Sequence, residues 1–290
     1  VHKSGFVNIV GSPNVGKSTL MNRLVGEKVS IVTSKAQTTR HRIMGIVNDE
    51  NYQIVFSDTP GVLNAAYKLH ESMMDSVNTS LKDADVLLFI TDTIENQMNH
   101  EETLEKIKKL RVPVICLINK IDLSDQEAVM ARIAYWQEQL PNAIIYPISA
   151  LHGFNLEPIW EKVIELIPES PPYYDKDEIS DRPMRFFVSE IVREKIFLNC
   201  DKEIPYSCQV EIEEYKEEAN ITRIRALIIV ERDSQRGILI GKGGDMIKRI
   251  GWDARKEIEK FIGQKVFLET YVKVDKDWRT TDSKLKKYGY

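Results

Sequence analysis

Short, almost continuously apolar runs alternate with amphipathic stretches through the first half of the chain. GFVNIVG, YQIVFSD, ADVLLFITD, PVICLINK and NAIIYPIS have the pattern of buried strands, the later ones with the near-unbroken apolarity of parallel strands covered on both faces. Between them, KSTLMNRLVG, ESMMDSVNTSLKD, EETLEKIKKL and EAVMARIAYWQEQL repeat apolar residues at helical spacing. This alternation predicts a doubly wound α/β sheet, whose ligands bind beyond the carboxyl ends of the strands. The loops after those runs are where chemistry is expected.

The pattern changes after the helical stretch LEPIWEKVIELI, which stops at Pro168. PESPPYYDKDEISDRP supplies proline and charge without periodicity, the signature of a linker. We therefore expect one domain over residues 1–170, a linker over 171–183 and a second domain over 184–290. In the second domain a helix (RFFVSEIVREKIF) precedes two strands (SCQVEIEEYKEE and ITRIRALIIVE). A glycine-rich loop, RGILIGKGG, then leads into the helix DMIKRIGWDARKEIEKFIG and the strand KVFLETYVKV. That order predicts a smaller α+β module rather than another turn of the first sheet.

A length of 290 residues fits two domains. The formal charge of −4 gives no reason to expect nucleic-acid binding by the chain as a whole. It is unevenly spread: residues 237–290 hold 13 Lys and Arg against 8 Asp and Glu, which leaves −9 on residues 1–236. A basic C-terminal module on an acidic body is one reading, and a solvated helix face is the other. Cys116, Cys200 and Cys208 form no C-x-x-C pair and point to a reducing cytosol. The five histidines, His2, His41, His70, His100 and His152, lack metal-ligand spacing. The N-terminal VHKSGFVNIVG has no apolar run long enough for a signal peptide. No stretch approaches the roughly 20 apolar residues that span a bilayer, so the expected location is cytoplasmic, with peripheral contact at the inner face of the membrane left open.

Gly11-Ser12-Pro13-Asn14-Val15-Gly16-Lys17-Ser18, followed by Thr19, matches G-x-x-x-x-G-K-[ST] between a strand and a helix. This is the phosphate loop of P-loop NTPases: its backbone N–H groups and the helix N-terminus attract phosphate. Lys17 is expected on the β- and γ-phosphates and the Ser18 hydroxyl on Mg²⁺. Asp58-Thr59-Pro60-Gly61 adds a carboxylate to organise Mg²⁺ and a Gly61 N–H for the γ-phosphate. Asn119-Lys120-Ile121-Asp122 matches the N-K-x-D guanine reader. The Asp122 carboxylate can accept from the ring N–H and exocyclic amine of guanine, which adenine cannot offer, leaving a desolvated acceptor unpaired. Asn119 is expected to brace the loops, Lys120 to lie along the base, and the Ala150 N–H of Ile148-Ser149-Ala150 to meet the guanine carbonyl. In QTTRH, Thr39, or Thr38 beside it, is a candidate to hold Mg²⁺ only while a γ-phosphate is present, as a switch requires. Lys17, Thr39, Asp58 and Gly61 are thus the candidate catalytic set, and GTP or GDP with Mg²⁺ the expected ligands.

In motif and in order, GSPNVGKS, QTTRH, DTPG, NKID and ISA resemble the Era family of bacterial GTPases, and the likeness continues through GILIGKGG. The resemblance implies a GTP-hydrolysing switch that binds small-subunit (16S) ribosomal RNA near its 3′ end and assists 30S subunit maturation, working as a monomer. Val62 stands where Ras-like proteins place the glutamine that orients attacking water; valine cannot, so slow intrinsic turnover is expected. Asn14 looks like the asparagine with which related GTPases hold K⁺ beside the phosphates, and a purely geometric role in the loop is the alternative.

The second glycine loop lacks P-loop spacing, since Lys242 is followed by Gly243. Ile240-Gly241-Lys242-Gly243-Gly244 instead fits the I-G-x-x-G clamp of a KH domain, in a helix–strand–strand context resembling type II, which takes about four nucleotides of a single strand. Lys242, Lys248 and Arg249 are placed for sugar-phosphate, while Ile238, Ile240, Ile247 and Ile250 are expected in the core or the groove wall. The rival expectation is a signalling GTPase whose C-terminal module binds a protein or a membrane surface.

Overall fold

The computed structural model describes residues 1–95 and 101–290. It divides into two compact units: Val1–Ala66 with His70–Asp181, and Tyr67–Leu69 with Arg182–Tyr290.

The first unit is built on β1 (Lys3–Gly11), α1 (Lys17–Val25), β2 (Ile43–Asn48), β3 (Tyr52–Asp58), α2 (Lys68–Lys82), β4 (Val86–Asp92), α3 (Glu101–Lys108), β5 (Val114–Asn119), α4 (Gln126–Gln139), β6 (Ile144–Pro147) and α5 (Glu157–Leu166). The six strands lie in the order β2-β3-β1-β4-β5-β6. Five are parallel, and every residue of β4 is buried, which is why its sequence shows no alternation. β1 sits where the order reverses, between β3 and β4, so the loop after it opens into the crevice in which such sheets bind ligands.

β2 runs antiparallel to β3 and makes the sheet mixed. IMGIVN is short and broken by Gly45, which hides it among the apolar runs. A Cβ there would come within 2.6 Å of Val25 and 2.9 Å of Met21, so the glycine leaves room for those two α1 side chains.

Residues 171–181, expected as a linker, contain no helix or strand and are bonded along β2 and β3 of the first unit. The Ile46 N–H donates to Ile179 at 2.9 Å and Ser180 Oγ to the Met44 carbonyl at 2.6 Å. The fully buried Gln53 accepts from the Tyr173 and Tyr174 amides at 2.7 and 3.0 Å. This segment caps a sheet edge that would otherwise present unpaired backbone groups.

The second unit holds α6 (Met184–Asn199), α7 (Ile204–Ser207), β7 (Gln209–Glu217), β8 (Thr222–Val230), α8 (Asp233–Ile240), α9 (Asp245–Ile262), β9 (Val266–Val274) and α10 (Asp282–Lys287). β8 pairs antiparallel with β7 and parallel with β9. Val188, Val192 and Ile196 of α6, Ile224, Ala226 and Ile228 of β8, and Ile250, Ala254 and Ile258 of α9 form the core.

Residues 236–240, expected as part of a glycine-rich loop, lie instead in helix α8. Gln235 caps the helix start, accepting the Glu231 and Arg232 N–H groups at 3.0 and 3.1 Å, and Leu239 is fully buried. As a result Ile238 points outward, 52% exposed, rather than joining the core; Ile240 and Ile247 are half-buried and Ile250 is fully buried.

Candidate functional site

In the first unit, the loop between β1 and α1 is shaped by the residues beneath it. Gly11 belongs to β1 and is required for packing, since a Cβ there would lie 2.2 Å from the Ile90 carbonyl oxygen. Gly16 has φ 104°, and its Cβ would fall 2.2 Å from Asn119 Nδ2, so only glycine lets the loop close against the Asn119 segment. Asn119 braces it, donating to the Val15 carbonyl at 2.8 Å. Lys17 is 6% exposed and donates to the Ser12 carbonyl at 2.6 Å. Burial lowers its pKa to about 8, against the pull of Asp58 and Glu95.

Three oxygen donors meet beside it. Ser18 Oγ donates to Asp58 Oδ2 at 2.6 Å and lies 2.9 Å from Thr39 Oγ1. Asp58 is fully buried, its Oδ1 has no hydrogen-bond partner, and burial raises its pKa despite the Ser18 bond and the Lys17 charge. A buried carboxylate with an unmet acceptor beside two hydroxyls suits a hard divalent cation. Thr38, by contrast, donates its hydroxyl to the Lys35 carbonyl at 2.6 Å.

At the other end, Ser149 Oγ donates to Asp122 Oδ1 at 2.8 Å, and His152 Nε2 lies 3.6 Å from Asp122 Oδ2. Lys120, at φ 63°, pairs with Asp92 at 2.8 Å and donates to the Asn14 carbonyl. A cavity of about 500 Å³ runs between these ends, lined by Pro13, Asn14, Gly16 through Thr19, Thr38, Thr39, Gly61, Asn119, Lys120 and Asp122.

Several expected residues do other work. Thr59 donates its hydroxyl to the Ile9 carbonyl at 2.7 Å and, like Pro60, is buried below the cavity. The Ala150 N–H donates to Asn119 Oδ1 at 2.9 Å. Sequence reasoning missed Leu123 and Leu151, which line the cavity near Asp122, and Asp92, which holds Lys120. Adjacency to NKID and ISA could have suggested the leucines. Asp92 becomes visible only through the β4–β5 register, which sets it opposite Asn119.

In the second unit, Gly241, Gly243 and Gly244 have φ of 74°, 62° and 82° and turn the chain sharply from α8 into α9. A Cβ on Gly241 would meet Met246 at 2.8 Å, whereas one on Gly243 would meet nothing within 4 Å. Lys242, Gly243, Lys248 and Arg249 are exposed, and Ile240 and Gly244 half-buried. The turn therefore offers open backbone and cations on a firmly packed base. Among the described residues no group of three or more His, Cys, Asp and Glu could hold a metal ion.

Comparison with known families agrees with both units. Residues 6–120 match the 50S ribosome-binding GTPase family, and residues 203–279 match the KH domain family. The protein is thus a P-loop GTPase domain joined to a KH domain. GTPase Era of Geotalea uraniireducens is 47% identical over 99% of this chain and 98% of its own length. GTPase Era of Staphylococcus haemolyticus is 44% identical over 100% and 97%. A crystal structure of Era in complex with MgGDPNP and nucleotides 1506–1542 of 16S ribosomal RNA superposes with a TM-score of 0.95 at 41% identity, covering 100% of this chain and 99% of that one. A point variant of Aquifex aeolicus Era bound to GDP·AlF4⁻ gives 0.94 at 41% identity, covering 99% of each chain. The chain belongs to the Era family of GTPases.

Proposed function

We propose that this GTPase is a switch that grips small-subunit ribosomal RNA near its 3′ end through Gly241–Gly244 and assists 30S subunit assembly, as a cytoplasmic monomer. One observation carries the reading: of two glycine–lysine loops in one chain, the first buries its lysine at the wall of a cavity lined by several segments and the second exposes it on an open turn. The relative crystallised with 16S ribosomal RNA supports the small subunit as the target, although the G-domain family is described by 50S binding.

In the cavity, Lys17 neutralises phosphate oxygens, the Gly61 N–H meets the γ-phosphate, and Asp122 accepts the two guanine N–H groups while Ser149 holds it in place. Ser18, Thr39 and Asp58 would hold Mg²⁺, which supplies positive charge to the β- and γ-phosphates when bound. Thr39, the hydroxyl turned toward Ser18, is preferred over Thr38 as the γ-phosphate-dependent ligand. Hydrolysis is slow without help because Val62 is 1% exposed and points into the core. The exposed Asn14 would place K⁺ beside the phosphates.

Multiple-turnover phosphate release with Mg²⁺, in KCl and in NaCl and with 16S or 23S ribosomal RNA added, tests this reading. Faster release in KCl that Asn14→Ala abolishes, together with ultraviolet crosslinks from Lys242 peptides to 16S RNA, is expected. Crosslinking to 23S RNA alone, or no turnover at all, would overturn it.

A further inference from the structure

α9 leaves the Gly241–Gly244 turn with two unlike faces. Ile250, Ala254 and Ile258 are buried in the core. Asp253 and Glu257 turn toward α6, meeting Asn199 at 3.4 Å and Lys195 at 2.9 Å. Glu259 accepts from Arg255 at 2.9 Å and from the Val266 amide at 3.1 Å. Three of the four acids of the helix are therefore engaged within the unit, and the fourth, Asp245, is exposed in its first turn. Toward water stand Lys248, Trp252 and Lys256, four residues apart and so in one row, with Arg249 and Lys260 exposed beside them.

Trp252 is 54% exposed and is the one large apolar residue of α9 so exposed, so the row is a cationic face carrying a single ring rather than an apolar patch. The Arg255 guanidinium carbon lies 4.8 Å, and the Lys256 ammonium 4.6 Å, from the ring centroid. An aromatic surface set among cations is how single-stranded nucleic acid is held without sequence preference. A single exposed ring on the helix, flanked by Arg255 and Lys256, suits neither a protein hot spot nor a lipid interface as well.

We propose that the Lys248–Trp252–Lys256 row is a second contact for single-stranded RNA. Trp252 stacks on a base, and the cations around it meet the adjoining phosphates. This rests on the reading that the Gly241–Gly244 turn grips RNA, and extends it. Trp252 lies two helical turns, about 12 Å, beyond Gly244. A KH groove takes about four nucleotides, so the row serves the next ones along the strand. A base outcompetes an exposed cation for the ring, and the displaced ammonium remains within reach of phosphate.

The test is fluorescence anisotropy with the full chain and two RNAs: one with the sequence of nucleotides 1506–1542 of 16S ribosomal RNA, and its tightest-binding five-nucleotide fragment. Trp252→Ala should weaken the long RNA by about 5- to 100-fold, the loss expected for one stacked base, and leave the fragment unchanged. Trp252→Phe should retain most of the affinity, and Lys256→Ala should flatten the salt dependence of the long RNA by about 0.7 in log–log slope. Tryptophan emission should be quenched by the long RNA in the parent and not in Trp252→Phe. Unchanged binding of the long RNA by Trp252→Ala would refute the proposal, as would equal weakening for both lengths. Quenching by phosphatidylglycerol vesicles but not by RNA would assign the row to a membrane instead. If the underlying RNA reading fails, the parent chain binds neither RNA.

Discussion

Gly11–Ser18 and Gly241–Gly244 spend the same residue types on opposite problems. The first loop is braced from a distance: Asn119 donates to Val15, Lys120 to Asn14, and Asn119 fills the space a side chain at Gly16 would need. Its lysine is buried and its cavity is walled by segments from several loops. The second loop is held locally by the ends of α8 and α9, its lysine is exposed, and nothing stands within 4 Å of where a Gly243 side chain would go. A small anion must be surrounded before it is held tightly, so its cradle recruits segments from across the sheet. A strand of polymer must enter sideways, so its cradle stays open. Glycine and lysine specify approach to phosphate; the bracing decides whose phosphate.

The sharpest break in that comparison is at Asp122. Asp122→Ala removes two charge-assisted acceptors from guanine, each worth about 1.5–3 kcal/mol, so GDP affinity should fall by roughly 10²–10⁴-fold with RNA affinity unchanged. Titration calorimetry against GDP and ADP checks this, and a loss confined to neither base would show that Asp122 does not read guanine. Gly243→Asp or Gly244→Asp acts on the open loop. Aspartate tolerates left-handed backbone better than most residues and meets no backbone at either position, so the fold should persist. The added charge faces phosphate, and RNA affinity should fall by about 100-fold while GDP binding holds. Simultaneous loss of both would mean misfolding.

How far the chain could be read without its structure divides along the same line. The motifs of the first loop were legible because each is a few contiguous residues at a strand end, and the strands announce themselves by apolarity. β2 was not, because an edge strand with Gly45 at its centre has neither length nor alternation. α8 was not, because Gly237 and eight residues give no helical period; the Gln235 cap and Leu239 burial that decide it are tertiary. Thr59, counted with the site by its place in DTPG, turns out to tie β3 to β1. Asp92 has no motif at all, and its pairing with Lys120 exists only through strand register.

A smaller effect, tied to enclosure itself, is the pH dependence of nucleotide binding. Burial holds the Lys17 pKa at about 8, below its ordinary 10.5. A base depressed in this way is disfavoured in its charged form, so the nucleotide-free fold carries that cost below about pH 8 and is relieved of it as pH rises toward 10.5. Bound phosphates restore the charge. GDP binding should therefore take up close to one proton near pH 9 and almost none near pH 6.5, with affinity falling about tenfold per pH unit above 8. Calorimetry in buffers of different ionisation enthalpy measures the uptake directly. No uptake at pH 9 would place Lys17 in a wetter site than its burial indicates.

The smallest expected effect tests whether the slow hydrolysis proposed above would come from a missing side chain or from the direction of the backbone. Val62 follows Gly61, its N–H donates to the Gly11 carbonyl at 3.0 Å, and its side chain is buried in the same apolar cluster as Val10 and Val77. That bond fixes which way residue 62 points. Val62→Gln should therefore bring no gain in phosphate release, because the amide enters the core instead of the cavity. It should cost about 1–3 kcal/mol of stability for a buried amide without a partner, read as a lower urea midpoint. A rate increase with unchanged stability would mean that residue 62 can swing toward the phosphates and that the valine alone keeps turnover slow. The expected result leaves the attacking water to be oriented by something the enclosed site acquires on binding, so the bracing of the first loop would limit its chemistry as well as its ligand.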